Sequence, residues 1–265
     1  MFMNILLTND DGIYAPGLMA LVRHFGQRHR VTVVAPDRER SAVGHGITLH
    51  QPLRASRVTL PGGCEGFAVS GTPADCIKLG VVELLSERPD VVVSGINPGP
   101  NVGVNINYSG TVAAAKEAAL YGLHALAVSM ASQDDSLFDG AAGFVETLAE
   151  RVRQRGLPFG TFLNVNLPGL PIGTISGIRV SRQGIRTLSE CFEKRTDPRN
   201  RTYYWQGADL QTFDASGDVD GHALEEDCIS ITPIKCDMTD YEVLKDLAQW
   251  DIARPSLASS KIRSG

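Results

Sequence analysis

The sequence predicts an α/β fold: a doubly wound, mostly parallel sheet with helices on both faces and a β-rich C-terminal oligomerisation extension. Short apolar runs alternate with helical-period segments from residue 3 to about residue 130. Those runs are apolar throughout instead of alternating, as befits strands covered on both faces. After about residue 170 the pattern changes to short β-type runs with many turn residues. With right-handed crossovers, a Rossmann-like sheet is the architecture that follows.

Each element has its own signal. Met3 to Leu7 is an apolar strand. Pro16 suits a first helical turn, and Leu18, Leu21, Val22 and Phe25 follow at helical spacing. Val31 to Ala35 and Phe67 to Ser70 are further strand-like runs. A helix from Thr72 carries Ile77, Leu79, Val81, Val82, Leu84 and Leu85. Asp90 to Ser94 is a β-branched strand, Gly110 to Tyr121 an Ala-rich helix and Ala125 to Ser129 a strand. Phe138 to Arg153 reads as a helix and Phe162 to Leu167 as a strand. Ile175–Arg182, Thr202–Gln206 and Cys228–Lys235 read as strands of hairpins or extensions.

The expected organisation is an α/β domain over 1–185, an extended oligomerisation segment over 186–250 and a mobile Ser-rich tail over 251–265. Short β-type runs such as Thr202–Trp205 cannot form a core alone, and exposed strand edges take partners. Of the 265 residues, 43% are hydrophobic and 21% charged, which excludes a disordered chain. The net charge of −5 gives no basic face for a nucleic-acid backbone. The five cysteines, Cys64, Cys76, Cys191, Cys228 and Cys236, form no CxxC pair, so no disulfide framework or structural zinc site is expected. No signal peptide and no membrane-length apolar run is visible, so a cytoplasmic protein is expected. The sequon Asn107-Tyr108-Ser109 is then not a glycosylation site.

Three polar clusters follow three strands: Asn9-Asp10-Asp11-Gly12, Asp37-Arg38-Glu39-Arg40-Ser41 and Ser94-Gly95-Ile96-Asn97-Pro98-Gly99-Pro100-Asn101. A parallel sheet brings all three to its carboxyl edge, where open α/β folds bind ligands. Asp-Asp-Gly alone is an ordinary turn. With two companion clusters at matching strand ends it becomes a candidate site. Adjacent carboxylates repel unless a cation holds them ionised, and oxygen donors suit Mg²⁺, Mn²⁺ or Ca²⁺. Ser109-Gly110-Thr111 opens the Ala-rich helix, where bare N–H groups and the helix dipole favour a phosphate. Capping is the plainer reading of Ser109 taken alone.

These stretches resemble the SurE (survival protein E) family of metal-dependent 5′-nucleotidases. The resemblance rests on Ile5–Gly17, Val34–Ser41, Ser70–Cys76, Val92–Asn97 and Tyr108–Ala115, extended by Phe162–Pro168 and Ile229–Pro233. It implies hydrolysis of nucleoside 5′-monophosphates to nucleoside and phosphate, with 3′-nucleotides and short polyphosphate as further candidate substrates. It implies one divalent ion on Asp10, Asp11, Ser41 and Asn97, and dimers with exchanged C-terminal segments, hence a homodimer or homotetramer. Asn101, Ser109, Gly110 and Thr111 are the candidate phosphate binders. Asp10, Asp11 and Asn9 are the candidate catalytic residues, Asp11 or Asn9 orienting the attacking water. Asp227 and Cys228 stand where the family has Gly and an aromatic, and Phe213–Asp227 is unusually acidic.

His45 could donate a proton to the leaving group, although a solvated loop histidine is the simpler reading. Arg38 and Arg40 could attract phosphate, although pairing with Asp37 or Glu39 explains them more simply. A receiver-type regulatory domain lacks its phosphoacceptor Asp and Lys here, and a dinucleotide enzyme lacks G-x-G-x-x-G after the first strand. The remaining alternative is a catalytically silent nucleotide-binding protein of the same fold.

Overall fold

A computed structural model describes residues 2–184, 192–207 and 217–250. Cys191, residues 208–216 and the expected mobile tail from residue 251 lie outside the described residues.

The elements run β1 (Asn4–Thr8), α1 (Pro16–Phe25), β2 (Arg30–Pro36), β3 (Ala55–Leu60), β4 (Cys64–Val69), α2 (Pro73–Leu79), β5 (Val91–Pro98), α3 (Gly110–Leu120) and β6 (His124–Met130). They continue with α4 (Phe138–Arg155), β7 (Thr161–Leu167), β8 (Gly177–Val180), β9 (Phe192–Thr196), β10 (Thr202–Gln206), α5 (Asp220–Glu225), β11 (Cys228–Lys235) and α6 (Tyr241–Leu247). Nine strands form one sheet in the order β3-β4-β2-β1-β5-β6-β7-β11-β8. The run from β4 to β7 is parallel throughout. β1 and β5 sit at its centre, so their carboxyl ends meet side by side, with Thr8 opposite Ser94.

The predicted two-sided burial is present. Leu18, Leu21, Val22 and Phe25 of α1 and Ala141, Val145, Ala149 and Val152 of α4 join one apolar cluster, with Ile5 and Leu7 of β1. Val112, Ala115, Ala118 and Ala119 of α3 and Cys76 and Ile77 of α2 join a second, with Leu6. Leu6 and its neighbours thus serve opposite faces, which explains why β1 is apolar at consecutive positions. Each fully buried Leu, Ile or Phe contributes about 1.5–3 kcal/mol.

Three features differ from expectation. β3 was not foreseen: its residues are mostly exposed, and it pairs antiparallel with β4 as an edge hairpin around Pro61–Gly63. The helix from Thr72 ends as regular α-helix at Leu79 and widens over Gly80–Leu84, where the Leu85 N–H donates to the Gly80 carbonyl. β11, within the range expected for the extension, instead pairs antiparallel with β7 and parallel with β8 in the main sheet. Its start, Cys228 to Ser230, is buried, so it serves the core. Among the described residues only β9 and β10 stand apart, as an antiparallel pair exposed at every position. Among the described residues no helix is long and apolar enough to cross a membrane.

Candidate active site

β1 ends at Thr8 and turns through Asn9–Gly12. The Asn9 amide donates to the Gly12 carbonyl at 2.9 Å, and Arg40 N–H donates to the Asp10 carbonyl at 2.7 Å. These bonds tie the first cluster to the second. β5 carries a register shift between Ser94 and Asn97 that lets the third cluster leave the sheet beside them. The result is a cleft of about 930 Å³ whose wall includes Asp10, Asp11, Ser41, Asn97, Asn101 and Ser109. Asn9, Gly110 and Thr111 do not line it.

The two carboxylates differ. Asp10 is buried, accepts from the Thr111 hydroxyl and faces the backbone N–H groups of Gly110 and Thr111. Burial raises its pKa, and those donors act in the opposite direction. Asp11 has no such support: its Oδ2 is buried without a hydrogen-bond partner among the described residues. Burial first, then the charges of Asp10 and Glu39, push its pKa up to about 7. Glu39, read from sequence as a partner for the neighbouring arginines, accepts from the Ser41 hydroxyl at 2.6 Å and lines the cleft.

The start of α3 serves the site through Asp10. A Cβ on Gly110 would stand 2.7 Å from Asp10 Cβ and 2.8 Å from its Oδ2. The close approach that Gly110 permits is therefore to this carboxylate. The Ser109 hydroxyl accepts from Val112 N–H as a helix cap. Asn97 donates its amide N–H to the Gly99 carbonyl at 2.7 Å, which leaves its amide oxygen for a ligand.

Further residues hold this arrangement. Asn101 is clamped: its N–H donates to Asn166 Oδ1 at 2.8 Å, its carbonyl accepts from the Asn164 and Asn166 amides, and its own amide donates to Ser129. This gives the Asn-Val-Asn motif of β7 a positioning role. The loop bearing Ser41 is anchored by Thr48, whose hydroxyl donates to Asp75 Oδ2 at 2.6 Å. Asp75 also closes a capping box with Thr72, so the Thr-x-x-Asp spacing was the signal available in the sequence. His45 contacts Glu117 at 2.7 Å and is not the free loop histidine expected. Arg40 lies 3.8 Å from Asp37 and donates to the Ser70 carbonyl at 3.1 Å.

A divalent cation fits this donor set. Asp11 presents an orphaned buried oxygen, Asp10 and Glu39 add negative charge, and Asn97 and Ser41 add neutral oxygens. These are hard donors of the magnesium and manganese class, with no thiolate or imidazole among them.

A doubly wound sheet with an acidic, oxygen-lined cleft at its carboxyl edge defines a Rossmann-like α/β protein built to bind a small polar ligand. The family model "Survival protein SurE" matches residues 5–190, and the chain belongs to the SurE family. A 5′-nucleotidase SurE from Desulfatibacillum aliphaticivorans is 58% identical over 96% of this chain and 100% of its own length. One from Heliobacterium modesticaldum is 49% identical over 94% and 92%, respectively. The crystal structure of a SurE protein from Aquifex aeolicus superposes with a TM-score of 0.79 at 39% identity, covering 92% of this chain and 98% of that one.

Proposed function

We infer that the chain is a metal-dependent 5′-nucleotidase that converts nucleoside 5′-monophosphates to nucleoside and inorganic phosphate. The observation that carries this reading is the convergence of Asp10, Asp11, Ser41 and Asn97 on one cleft, with an unpartnered carboxylate oxygen on Asp11. Relatives at 49–58% identity bear the 5′-nucleotidase name, which favours an active enzyme over a silent binder.

Asp10, Asp11, Ser41 and Asn97 would hold one divalent ion, which when bound offsets phosphate charge and makes water more acidic. Thr111 and the α3 amides fix Asp10, so the site is preorganised without help from substrate. Asp11 lines the cleft with an unpartnered carboxylate oxygen and would orient the attacking water there. The water oxygen forms the new P–O bond, the bond to the 5′-oxygen breaks, and that oxygen takes its proton from solvent as it leaves. Asn101 and the Ser109–Thr111 turn stand at the cleft rim or just behind it, as the phosphate side of the site. Asn9 shapes the turn through Gly12 and acts as a positioning residue.

The β9–β10 pair supplies the proposed dimer surface. Phe192, Tyr204 and Trp205 are exposed on it, and aromatic area of this kind is enriched at interfaces. Light scattering tests this: a particle of 28.5 kDa at micromolar concentration overturns the dimer.

The function is tested by phosphate release from AMP with Mn²⁺ or Mg²⁺. The reading requires release that a chelator abolishes and that Asp11→Asn abolishes with the fold intact. Full activity in that variant overturns it.

A further inference from the structure

A second cluster lies at the opposite edge of the sheet, where the strands begin. His29 directly precedes β2 and is buried completely, its side chain 0% exposed. Its Nε2 lies 2.9 Å from Glu146 Oε1, yet neither ring nitrogen makes a hydrogen bond of sound geometry among the described residues. Glu146, 5% exposed, and Glu150 stand one turn apart on α4. Donor atoms of His29, Glu146 and Glu150 all lie within 4.8 Å of one another. Among the described residues this is the one group of three His, Cys, Asp or Glu side chains so placed. The other Glu146 oxygen contacts His24 Nε2 at 2.8 Å. Arg28 closes the outer side, 3.5 Å from Glu146 and 3.6 Å from Glu150.

We propose that His29, Glu146 and Glu150 form a second, structural metal site for a divalent transition ion such as zinc, clamping the end of α1 to α4. A neutral imidazole and two carboxylates neutralise a dication, and mixed nitrogen and oxygen donors suit zinc, cobalt or nickel over magnesium. Zinc–donor bonds of about 2.1 Å in a tetrahedral site put two donors about 3.4 Å apart. The widest pair, at up to 4.8 Å, therefore needs to close by at most about 1.4 Å, a shift within reach of side-chain rotation. The unmatched buried ring of His29 is the second observation: its Nε2 lies 2.9 Å from Glu146 Oε1 beside both carboxylates, yet makes no hydrogen bond there, so a small ring rotation is needed to direct it at a shared ion. Arg28 is the cation that holds the two glutamates when no metal is bound. It is mostly exposed and free to swing outward. His24 is a positioning residue that acts through Glu146.

The site is tested on the full chain carrying Asp11→Asn, to disable the cleft, stripped with chelator and titrated with Co²⁺ alone. One cobalt per chain is expected, with the strong visible absorption of a low-coordinate ion that has a nitrogen ligand, and with a raised thermal midpoint. Adding His29→Asn abolishes the absorption. Because that buried change could impair folding, Glu150→Gln on the helix surface serves as the second variant and is expected to abolish it too. His24→Ala weakens binding about tenfold, as loss of a residue behind a ligand does. Arg28→Ala removes the competing cation and tightens uptake, whereas a pure ion-pair clamp would only loosen. No uptake, uptake unchanged by Glu150→Gln, or no gain from Arg28→Ala overturns the site. Restoring Asp11 while keeping Glu150→Gln should leave phosphate release intact, so failure here is distinct from failure of the nucleotidase reading.

Discussion

Asp11, half-buried in the cleft, and Asp220, fully buried at the start of α5, both have carboxylate oxygens withdrawn from water, and the molecule treats them oppositely. Asp220 accepts from three backbone N–H groups: Gly103 at 2.8 Å, Gly184 at 3.0 Å and Gly221 at 2.9 Å. Asp11 has a buried oxygen with no partner among the described residues and two further carboxylates around it. Burial raises the pKa of both, but at Asp220 the backbone donors oppose it. One carboxylate staples the Gly103 turn to α5 and the strand edge. The other is held in reserve for a ligand. A satisfied buried charge stabilises the fold, whereas an unsatisfied one is tolerated where function requires it.

Exchanging the two residues' fates is the sharpest way to break that contrast. Asp11→Asn should lower phosphate release by at least about a hundredfold, with the thermal midpoint unchanged or raised. Kinetics and calorimetry on the same sample check both halves. Asp220→Ala should do the reverse in kind. Three stranded N–H groups cost about 3 kcal/mol, read as a fall of roughly 6–12 °C in Tm. A midpoint within a degree of the parent would show that Asp220 is no staple.

Gly110→Val should sit between these cases. Its side chain would displace Asp10, at 2.7–2.8 Å from the new Cβ, so metal affinity and activity should fall together. Were Gly110 only the phosphate binder that its sequence suggests, the variant would lose phosphate contact with metal binding spared. Titration calorimetry with Mn²⁺ separates the two.

A further effect is expected on pH dependence. Asp11 titrates at about 7 in the folded chain and near ~3.9 unfolded. The folded chain therefore binds more protons between those values, and chelated protein should lose stability as pH rises through that window, then level off. Metal requires the ionised form, so the thermal gain from Mn²⁺ should grow over the same range. Thermal scans against pH check this, and a slope identical in parent and Asp11→Asn would remove Asp11 as its source.

Much of the site was legible because local chemistry announces it. Asp10-Asp11-Gly12, Ser41 and Asn97 follow apolar runs, and parallel topology alone collects strand ends. β1 to β7 were readable for the same reason, except β3, whose exposed residues leave no continuous apolar run. The Asn164–Asn166 pair was visible as a motif, but not its hold on Asn101, which depends on β7 lying one strand beyond β6.

The sequence by itself determined the apolar periodicity, the strand–helix alternation and the donor types, because these are local properties of neighbouring residues. Only the tertiary structure decided how they are used. It turned Glu39 into the cleft, spent Gly110 on Asp10, placed β11 in the main sheet and brought His29 against Glu146 across more than a hundred residues of chain. Those outcomes depend on packing between distant segments and on which buried polar atoms find partners, and neither quantity is written in any short stretch of sequence.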